Sequence, residues 1–311
     1  MKKEKILVTG GSGMIGSALR EELPYAIYVS SREYDLTDIE QCESMFEKHK
    51  PKYVFHLAAR VGGVKANYDY LADFYDDNIL INTNVLKCAS KFNVQKLLSM
   101  LSTCVYPANT NYPLVEKNIH CGEPHWTNFA YAYAKRMLDV QSRSYRKQYG
   151  CNFITAVPNN MYGINDNFHL EDSHVIPAMI RKIHEAKLSN SNVNLWGDGT
   201  PIREFTYSRD IAKIIIFLME NYNGPDPINI GNTKSISILD LALTLKKIIG
   251  LKSDIIWDTT KLSGQHKKPS SNKKLLETGF DIETYTPIKE GLSETYEWFQ
   301  NTYPNVRGYK N

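Results

Sequence analysis

The sequence feature that most constrains the fold is a glycine-rich turn between a short strand and a helix near the amino terminus. Lys5–Thr9 is apolar and β-branched, and the amphipathic segment Ser17–Leu23 stops at Pro24. Glycines spaced as they are between these segments allow a tight turn, close approach of a diphosphate to the helix amino end, and helix-on-strand packing. We therefore predict a dinucleotide-binding unit whose cofactor contacts are Gly10, Ser12, Gly13, Met14, Ile15 and Gly16.

The end of the second predicted strand, Ala26–Val29, favours NADP over NAD. NAD-binding proteins usually carry an acid at this place for the ribose hydroxyls. Ser31 and Arg32 instead offer hydrogen-bond donors and a positive charge, which suit a 2′-phosphate. Glu33 is the alternative, because a strand boundary one residue later would put an acid there. The residues predicted to lie at the adenine are Asp35 and Leu36.

A third apolar strand, Tyr53–Ala59, ends in small residues that let a flat cofactor lie against the backbone. We predict cofactor contacts from Leu57, Ala58 and Ala59. His56 lies inside the apolar run, and such a histidine is more often a hydrogen-bonded core residue than a catalytic one. The apolar periodicity of 77–91 predicts a crossover helix that returns the chain to the next strand.

Polar residues follow the fourth predicted strand, Lys96–Leu101, where the ligands of open α/β sheets bind. Ser102 can hydrogen-bond a carbonyl, and Cys104 is a candidate thiolate base. Tyr131 and Lys135, four residues apart, share one face of a helix predicted over 129–149. A nearby ammonium favours phenolate, so we expect Lys135 to lower the pKa of Tyr131.

Composition excludes several other classes of protein. A formal net charge of +3, from 37 Lys and Arg against 34 Asp and Glu, is too balanced for a nucleic-acid-binding surface. Five scattered cysteines, none in a Cys-x-x-Cys pair, indicate neither a disulfide framework nor a zinc ribbon. His120, Cys121 and His125 match no zinc spacing, so we expect a lid loop and no metal. With no bilayer-spanning stretch and no signal peptide, we expect a cytoplasmic protein without a membrane partner.

Together these motifs resemble the extended short-chain dehydrogenase/reductases. Within that family the chain is similar, over nearly its whole length, to enzymes that epimerise and reduce a GDP-4-keto-6-deoxy-sugar with NADPH. The marks of that resemblance are Val61-Gly62-Gly63, Ser102–Pro107, Tyr131–Met137, Asp166-Asn167-Phe168 leading to Ser173–Ala178, and Gly264-Gln265 with Lys267-Lys268.

The resemblance implies a role for each of these residues. Cys104 and His174 would be the base and acid of epimerisation, while Ser102, Tyr131 and Lys135 would serve hydride transfer. Tyr131 and Lys135 would also contact the cofactor, with Pro158 and Asn160, where the fold leaves the cofactor sheet. Those implied for the GDP-sugar are Val61, Asn160, His174, Lys182, Trp196, Arg203 and Lys268. A homodimer through the helices near Asp77 and Tyr131 is also implied.

The predicted architecture is a doubly wound parallel Rossmann sheet with a smaller carboxyl-terminal α/β substrate domain. We expect 1–164, with a return segment at 207–233, to bind NADP, and 165–206 with 234–311 to bind the sugar nucleotide. Leu195–Phe205 is expected to form a hairpin-like turn followed by a strand. The lysine-rich segment Lys261–Lys274 is interpreted as an anchor for nucleotide phosphates.

Three other functions stay open at this point. A sugar-nucleotide 4,6-dehydratase usually has an acid where Cys104 stands. A simple 4-epimerase or 4-reductase needs neither Cys104 nor His174. A non-catalytic NADP-binding regulator would keep the fold as a sensor, although the intact set of reactive residues argues against it.

Overall fold

The secondary structure alternates strands and helices through most of the chain. A computed structural model describes residues 4–260 and 266–309. Its strands are β1 (Ile6–Thr9), β2 (Ile27–Val29), β3 (Tyr53–His56), β4 (Lys96–Met100), β5 (Phe153–Pro158), β6 (Asn160–Tyr162), β7 (Val193–Trp196), β8 (Ile202–Tyr207), β9 (Ile228–Ile230), β10 (Ser235–Ser237) and β11 (Ile255–Asp258). Its α-helices are α1 (Met14–Glu22), α2 (Ile39–His49), α3 (Val64–Asp69), α4 (Leu71–Lys91), α5 (Phe129–Tyr149), α6 (Val175–Ser189), α7 (Ser208–Asn221), α8 (Ile238–Ile249), α9 (Lys273–Glu277) and α10 (Ile288–Thr302).

The central sheet has six strands in the order β2-β1-β3-β4-β5-β9, and every neighbouring pair is parallel. β2 lies on one side of β1, and the later strands follow on its other side, so the direction of the strand order reverses between β1 and β3. Ligands of such sheets bind at the carboxyl ends of the strands beside this reversal. The fold predicted from the glycine-rich turn is confirmed.

Helices cover both faces of the central sheet because its strands are apolar on both sides. Along β1, Ile6 and Val8 pack into one core with α1 and α7, whereas Leu7 packs into the opposite core with α2 and α4. All three side chains are at most 1% exposed. The sheet is therefore doubly wound, with a separate core on each face.

A second lobe is built from a three-stranded sheet, β10-β8-β6, and a parallel pair, β11-β7. Its own core gathers Ile180 of α6, Leu241 of α8 and Phe299 of α10. The predicted hairpin-like turn after Leu195 is wrong, because β7 pairs with β11 while β8 pairs with β6 and β10. The domain limits expected from the sequence stay a prediction.

Two element boundaries differ from those that periodicity predicts. β3 ends at His56 because its neighbour β1 ends at Thr9, and the last bond between them runs from Leu57 N to Thr9 O at 3.3 Å. α4 begins at Leu71, six residues before Asp77. Periodicity did not predict these first turns because they carry acids that bind Arg60 and lack an apolar repeat. Within residues 4–260 and 266–309, no helix is long and apolar enough to cross a membrane.

Candidate active site

One cavity of about 1450 Å³ opens at the carboxyl ends of β1, β3, β4 and β5 and continues into the second lobe. Every residue that the sequence predicts for catalysis, cofactor binding or substrate binding lines this cavity. The volume exceeds the 300–1,000 Å³ of an ordinary single-ligand pocket, as expected if a dinucleotide and a second nucleotide lie side by side. The chemical roles of the individual residues stay predictions.

The glycine-rich turn has the shape of a diphosphate cradle. Gly10 has φ +70°, and a Cβ there would lie 2.8 Å from the backbone nitrogen of Ala58. A Cβ on Gly16 would lie 2.7 Å from the carbonyl oxygen of Gly10. No side chain caps the amino end of α1, so its first N–H groups are available to an anion.

The loop after β2 fits a 2′-phosphate better than free ribose hydroxyls. Ser31 and Arg32 line the cavity and are exposed. The Glu33 carboxylate turns back, accepting hydrogen bonds from Ser30 N at 2.9 Å and Ser30 Oγ at 3.1 Å. The acid that could have favoured NAD is thus occupied within its own turn and does not line the cavity.

His56 is a core histidine, as predicted. Its Nδ1 lies 2.9 Å from Thr9 Oγ1 and its Nε2 lies 3.1 Å from Asn82 Oδ1, and the side chain is 2% exposed. Burial, followed by the charge of Lys135, lowers the pKa of His56 to about 3. The ring stays neutral, and its two hydrogen bonds fix the end of β3 beside the glycine-rich turn.

Ser102 and Cys104 project from the turn that follows β4. Ser102 Oγ accepts a hydrogen bond from Cys104 N at 3.3 Å, and Thr103–Val105 forms a short 3₁₀ turn. The side-chain amide of Asn128 donates to Cys104 Sγ at 3.0 Å. The Cys104 sulfur is therefore held by a polar contact at the cavity.

Tyr131 and Lys135 are both buried on the inner face of α5. Lys135 Nζ donates to Met100 O at 3.0 Å and lies 5.9 Å from the centre of the Tyr131 ring. Burial lowers the pKa of Lys135 to about 8. Burial also raises the pKa of Tyr131, the charge of Cys104 adds to this, and a hydrogen bond with Ser102 opposes it.

The expectation that Lys135 lowers the pKa of Tyr131 is therefore wrong for the chain by itself. Desolvation disfavours the phenolate and outweighs the hydrogen bond with Ser102 that favours it. At neutral pH Tyr131 holds its proton, which is the form that a proton donor requires.

The motif Val61-Gly62-Gly63 brings His174 to the cavity. Gly63 N donates to Asp172 O at 2.7 Å, and a Cβ on Gly63 would collide with the Ser173 carbonyl. Only a residue without a side chain lets these two backbones lie so close. His174 precedes α6 without capping it, and burial within the cleft lowers its pKa, which makes its protonated form a stronger acid.

Cationic and aromatic side chains of the second lobe line the far end of the cavity. Lys182 Nζ lies 4.8 Å from the centre of the Trp196 ring. Arg203 Nη1 donates to Ile202 O at 2.8 Å and His266 O at 3.1 Å. Burial lowers the pKa values of Arg203 and Lys268, and the charge of Cys104 opposes this for both. Two cations and the candidate base are thus electrostatic neighbours.

The lysine-rich segment is only partly an anion site. Of its described lysines, Lys268 alone lines the cavity. Lys274 donates to Pro227 O at 2.7 Å, and Lys273 lies 3.9 Å from Glu277. These two lysines are engaged in packing and a surface ion pair. Lys261, Gly264 and Gln265 lie outside the described residues.

The connection that holds the two candidate zinc-ligand histidines makes other contacts. His120 Nε2 lies 2.8 Å from Asp139 Oδ2, and His125 Nδ1 lies 2.8 Å from Thr127 Oγ1. In the part of the chain that the structure describes, no group of three or more His, Cys, Asp or Glu could hold a metal ion. His125 and Thr127 line the cavity, so part of this connection faces the site.

Several polar or charged cavity residues were not assigned a role by sequence reasoning, among them Arg60, Asn128, Asp166 and Arg307. Arg60 lies 2.8 Å from Asp77, and Asn128 contacts Cys104. Asp166 is 7% exposed, and burial raises the pKa of its carboxyl to about 7. Arg307 approaches the glycine-rich turn from the carboxyl-terminal segment. Of these residues, only Asn128 could have been found from local sequence, because it immediately precedes the helix predicted over 129–149.

Comparison with known proteins agrees with this geometry. Residues 6–231 match the model of the NAD dependent epimerase/dehydratase family. A GDP-L-fucose synthase of Dictyostelium discoideum is 42% identical, covering 98% of each chain, and one of Escherichia coli K12 is 34% identical, covering 99% of this chain and 100% of its own. The crystal structure of a GDP-L-fucose synthetase from Naegleria fowleri bound to NADP is 37% identical, with a TM-score of 0.92 over 99% of this chain and 96% of the other.

Proposed function

Because the chain belongs to the NAD dependent epimerase/dehydratase family, we propose that it is an NADP-dependent oxidoreductase and epimerase that converts GDP-4-keto-6-deoxy-D-mannose into GDP-L-fucose. One observation carries this proposal. A single cavity joins the reductive residues Ser102, Tyr131 and Lys135 to a second pair, Cys104 and His174, that reduction alone does not need. The pair favours this function over a simple 4-reductase or 4-epimerase.

NADP fits the residues at the amino-terminal end of the cavity. The absence of side chains at Gly10 and Gly16 allows the tight turn, the uncapped end of α1 provides N–H donors for a diphosphate, and Arg32 provides a positive charge for a 2′-phosphate. When bound, NADPH supplies the hydride that reduces the C4 carbonyl of the sugar. The proposed substrate domain, 165–206 with 234–311, supplies Lys182, Arg203 and Lys268 for the sugar nucleotide.

Epimerisation depends on the acidity of hydrogens beside a carbonyl. A ketone at C4 acidifies the hydrogens at C3 and C5, so a base on one ring face and an acid on the other can invert both centres. We assign the base to Cys104, whose sulfur accepts from Asn128, and the acid to His174. Ser102 and neutral Tyr131 donate hydrogen bonds that stabilise the enolate oxygen.

Reduction needs a proton for the oxygen at C4. Tyr131 holds its proton at neutral pH because burial raises its pKa, and it can donate that proton to the forming alkoxide. Lys135, with a pKa of about 8, can restore the proton and orient the ring. Ser102 holds the same oxygen in place.

We further propose that the protein is a cytoplasmic homodimer. Leu80 on α4 is 46% exposed and Val140 on α5 is 38% exposed. These helices pack side by side, with Gln141 Nε2 donating to Thr83 Oγ1 at 2.7 Å, and we propose their outer surface as the interface. Five free cysteines suit a reducing compartment.

The test is incubation with GDP-4-keto-6-deoxy-mannose and NADPH, following absorbance at the reduced nicotinamide band and identifying the sugar by NMR. We expect loss of absorbance and a product with the fucose configuration. Product with unchanged C3 and C5 would indicate a 4-reductase, and no oxidation of NADPH would falsify the proposal. Tyr131→Phe should abolish most NADPH oxidation, whereas exchange of C3 and C5 with deuterated water should continue at a lower rate, because Ser102 still stabilises the enolate.

A further inference from the structure

The segment 305–308 places a cationic side chain, that of Arg307, near the glycine-rich turn. Residues 305–308 line the cavity, and Arg307 Nη1 lies 3.9 Å from the place that a Cβ on Gly13 would occupy. Gly13 immediately precedes α1, whose amino end is uncapped. The turn from Gly10 to Gly16 has no cationic residue of its own. Arg307 is therefore a positive charge set against the diphosphate cradle.

The backbone around Arg307 is held by several contacts. Its carbonyl accepts from Phe168 N at 2.8 Å. Arg181, 7% exposed, donates to Phe168 O at 3.1 Å and to Gly308 O at 3.0 Å, and its guanidinium lies 4.7 Å from the Tyr309 ring centre. The fold thus fixes where the Arg307 side chain begins.

The loop 165–169, which contains Phe168, also contacts α1. Asn165 Nδ2 donates to Ser17 Oγ on α1 at 3.0 Å. Hydrogen bonds therefore connect the Arg307 segment to the 165–169 loop, and that loop to α1. A ligand at the turn would contact groups that are separated by most of the chain.

The Arg307 guanidinium is available for a ligand. It forms no ion pair within 4 Å among residues 4–260 and 266–309. Arg307 is exposed and lines the cavity. Asp166 acts on it electrostatically, but the Asp166 carboxyl is engaged through Oδ1, which accepts from Asn167 N at 2.7 Å. Its Oδ2 is buried without a hydrogen-bond partner among the described residues.

We propose that Arg307 binds the cofactor diphosphate from the side opposite the glycine-rich turn, an inference that rests on the proposed NADP site. A guanidinium matches two phosphate oxygens at once, and the turn supplies only backbone donors. The diphosphate of the GDP-sugar is the other anion in the cavity. Proximity to Gly13 favours the cofactor, because the glycine-rich turn is the proposed site of the cofactor diphosphate.

The test compares two ligands that share the 2′-phosphate but differ in the diphosphate. We expect Arg307→Gln to weaken NADPH binding by about tenfold or more, measured by nicotinamide fluorescence, since a charge-assisted bidentate contact is lost. Adenosine 2′-monophosphate, which has no diphosphate, should compete with unchanged affinity. Arg307→Lys should bind NADPH with an intermediate affinity.

Two further variants separate this role from general effects of charge. Arg32→Gln should weaken both ligands, whereas Lys213→Gln, which removes one charge from the exposed side of α7, should change neither. The inference is overturned if Arg307→Gln binds NADPH normally, weakens both ligands equally, or changes only the KM for the GDP-sugar. Absence of NADPH binding by the unsubstituted chain would overturn the proposed function as well.

Discussion

Cys104 is the residue that separates the proposed reaction from simple reduction. Replacing it with serine keeps the shape and removes a thiolate base, because a serine hydroxyl is far less acidic than a thiol. We expect Cys104→Ser to slow the exchange of the C3 and C5 hydrogens by about 100-fold or more, the usual contribution of a positioned general base. Direct reduction of the 4-keto group should persist.

Deuterium incorporation from solvent, read by NMR, measures this effect separately from NADPH oxidation. Cys121→Ser is a matched control, because Cys121 is exposed and does not line the cavity. Fucose-configured product formed by Cys104→Ser at the wild-type rate would show that another group is the base.

Asp166 predicts a pH dependence of stability. Burial raises the pKa of its carboxyl from 3.8 to about 7, with the Asn167 backbone N–H and Arg307 acting in the opposite direction. A raised folded-state pKa stabilises the fold fully below the unfolded-state pKa, and that contribution is lost as pH rises through about 7. Asp166→Asn keeps the oxygen that accepts from Asn167 N and removes the titration.

We therefore expect the melting temperature of Asp166→Asn to fall less than that of the wild type between pH 5 and pH 8, by a few degrees. Thermal melts at half-unit steps of pH measure the difference. Parallel profiles for the two proteins would mean that this carboxyl does not titrate in that window.

At the residue scale, sequence reasoning succeeded for side chains next to recognisable elements. Ser102 and Tyr131 follow or begin such elements, and both line the cavity as predicted. It failed for contacts between distant segments, as with Asn128 on Cys104 and Arg307 at Gly13. It also misjudged the pKa of Tyr131, because desolvation depends on packing from all sides.

At the scale of elements, the loop after β3 controls where the loop before α6 can lie. Gly63 touches the backbone of Asp172 and Ser173, and a Cβ there requires the second loop to move. Gly63→Ala should therefore displace His174. We expect epimerisation to fall by about tenfold or more, since small misplacements of a catalytic group are costly.

The NADPH dissociation constant of Gly63→Ala is the internal control, because the cofactor turn at Gly10 and Gly16 is a separate backbone segment. Exchange at C3 and C5 should fall while NADPH affinity stays within about twofold of wild type. Equal loss of both properties, or of neither, would contradict the idea that this contact positions His174.

Elements with strong apolar repeats were predicted well, whereas elements defined by partners were not. α5 spans 129–149 as its repeat predicts. For Leu195–Phe205, the Gly-Asp-Gly sequence predicted a hairpin-like turn followed by a strand; the strand is present as β8, but β7 and β8 do not pair. Their partners, β11, β10 and β6, lie far away in the chain, and local sequence carries no information about that pairing.

At the scale of the whole molecule, segments that are far apart in the sequence line one cavity. The amino-terminal turn, the 165–169 loop and residues 305–308 meet at its cofactor end. The glycine-rich turn alone predicts the sheet and its ligand edge. It could not predict which late segment returns to it, because that depends on packing through Arg181.

The proposed homodimer yields a prediction at this scale. Leu80 on α4 is 46% exposed, and Leu188 on α6, outside the α4–α5 face, is 63% exposed. A charge introduced into an apolar interface between subunits is left without water or a partner, whereas on a free surface it stays solvated. Leu80→Arg should therefore produce monomers at micromolar concentration, while Leu188→Arg should keep the wild-type assembly.

Light scattering coupled to size-exclusion chromatography, at several protein concentrations, measures the mass of each variant. Both should bind NADPH with wild-type affinity, because neither leucine lines the cavity, and this separates dissociation from misfolding. A wild-type monomer would exclude the dimer altogether. If Leu80→Arg remained dimeric, the outer surface of α4 and α5 could not be the interface, and the subunit contact would lie on another surface.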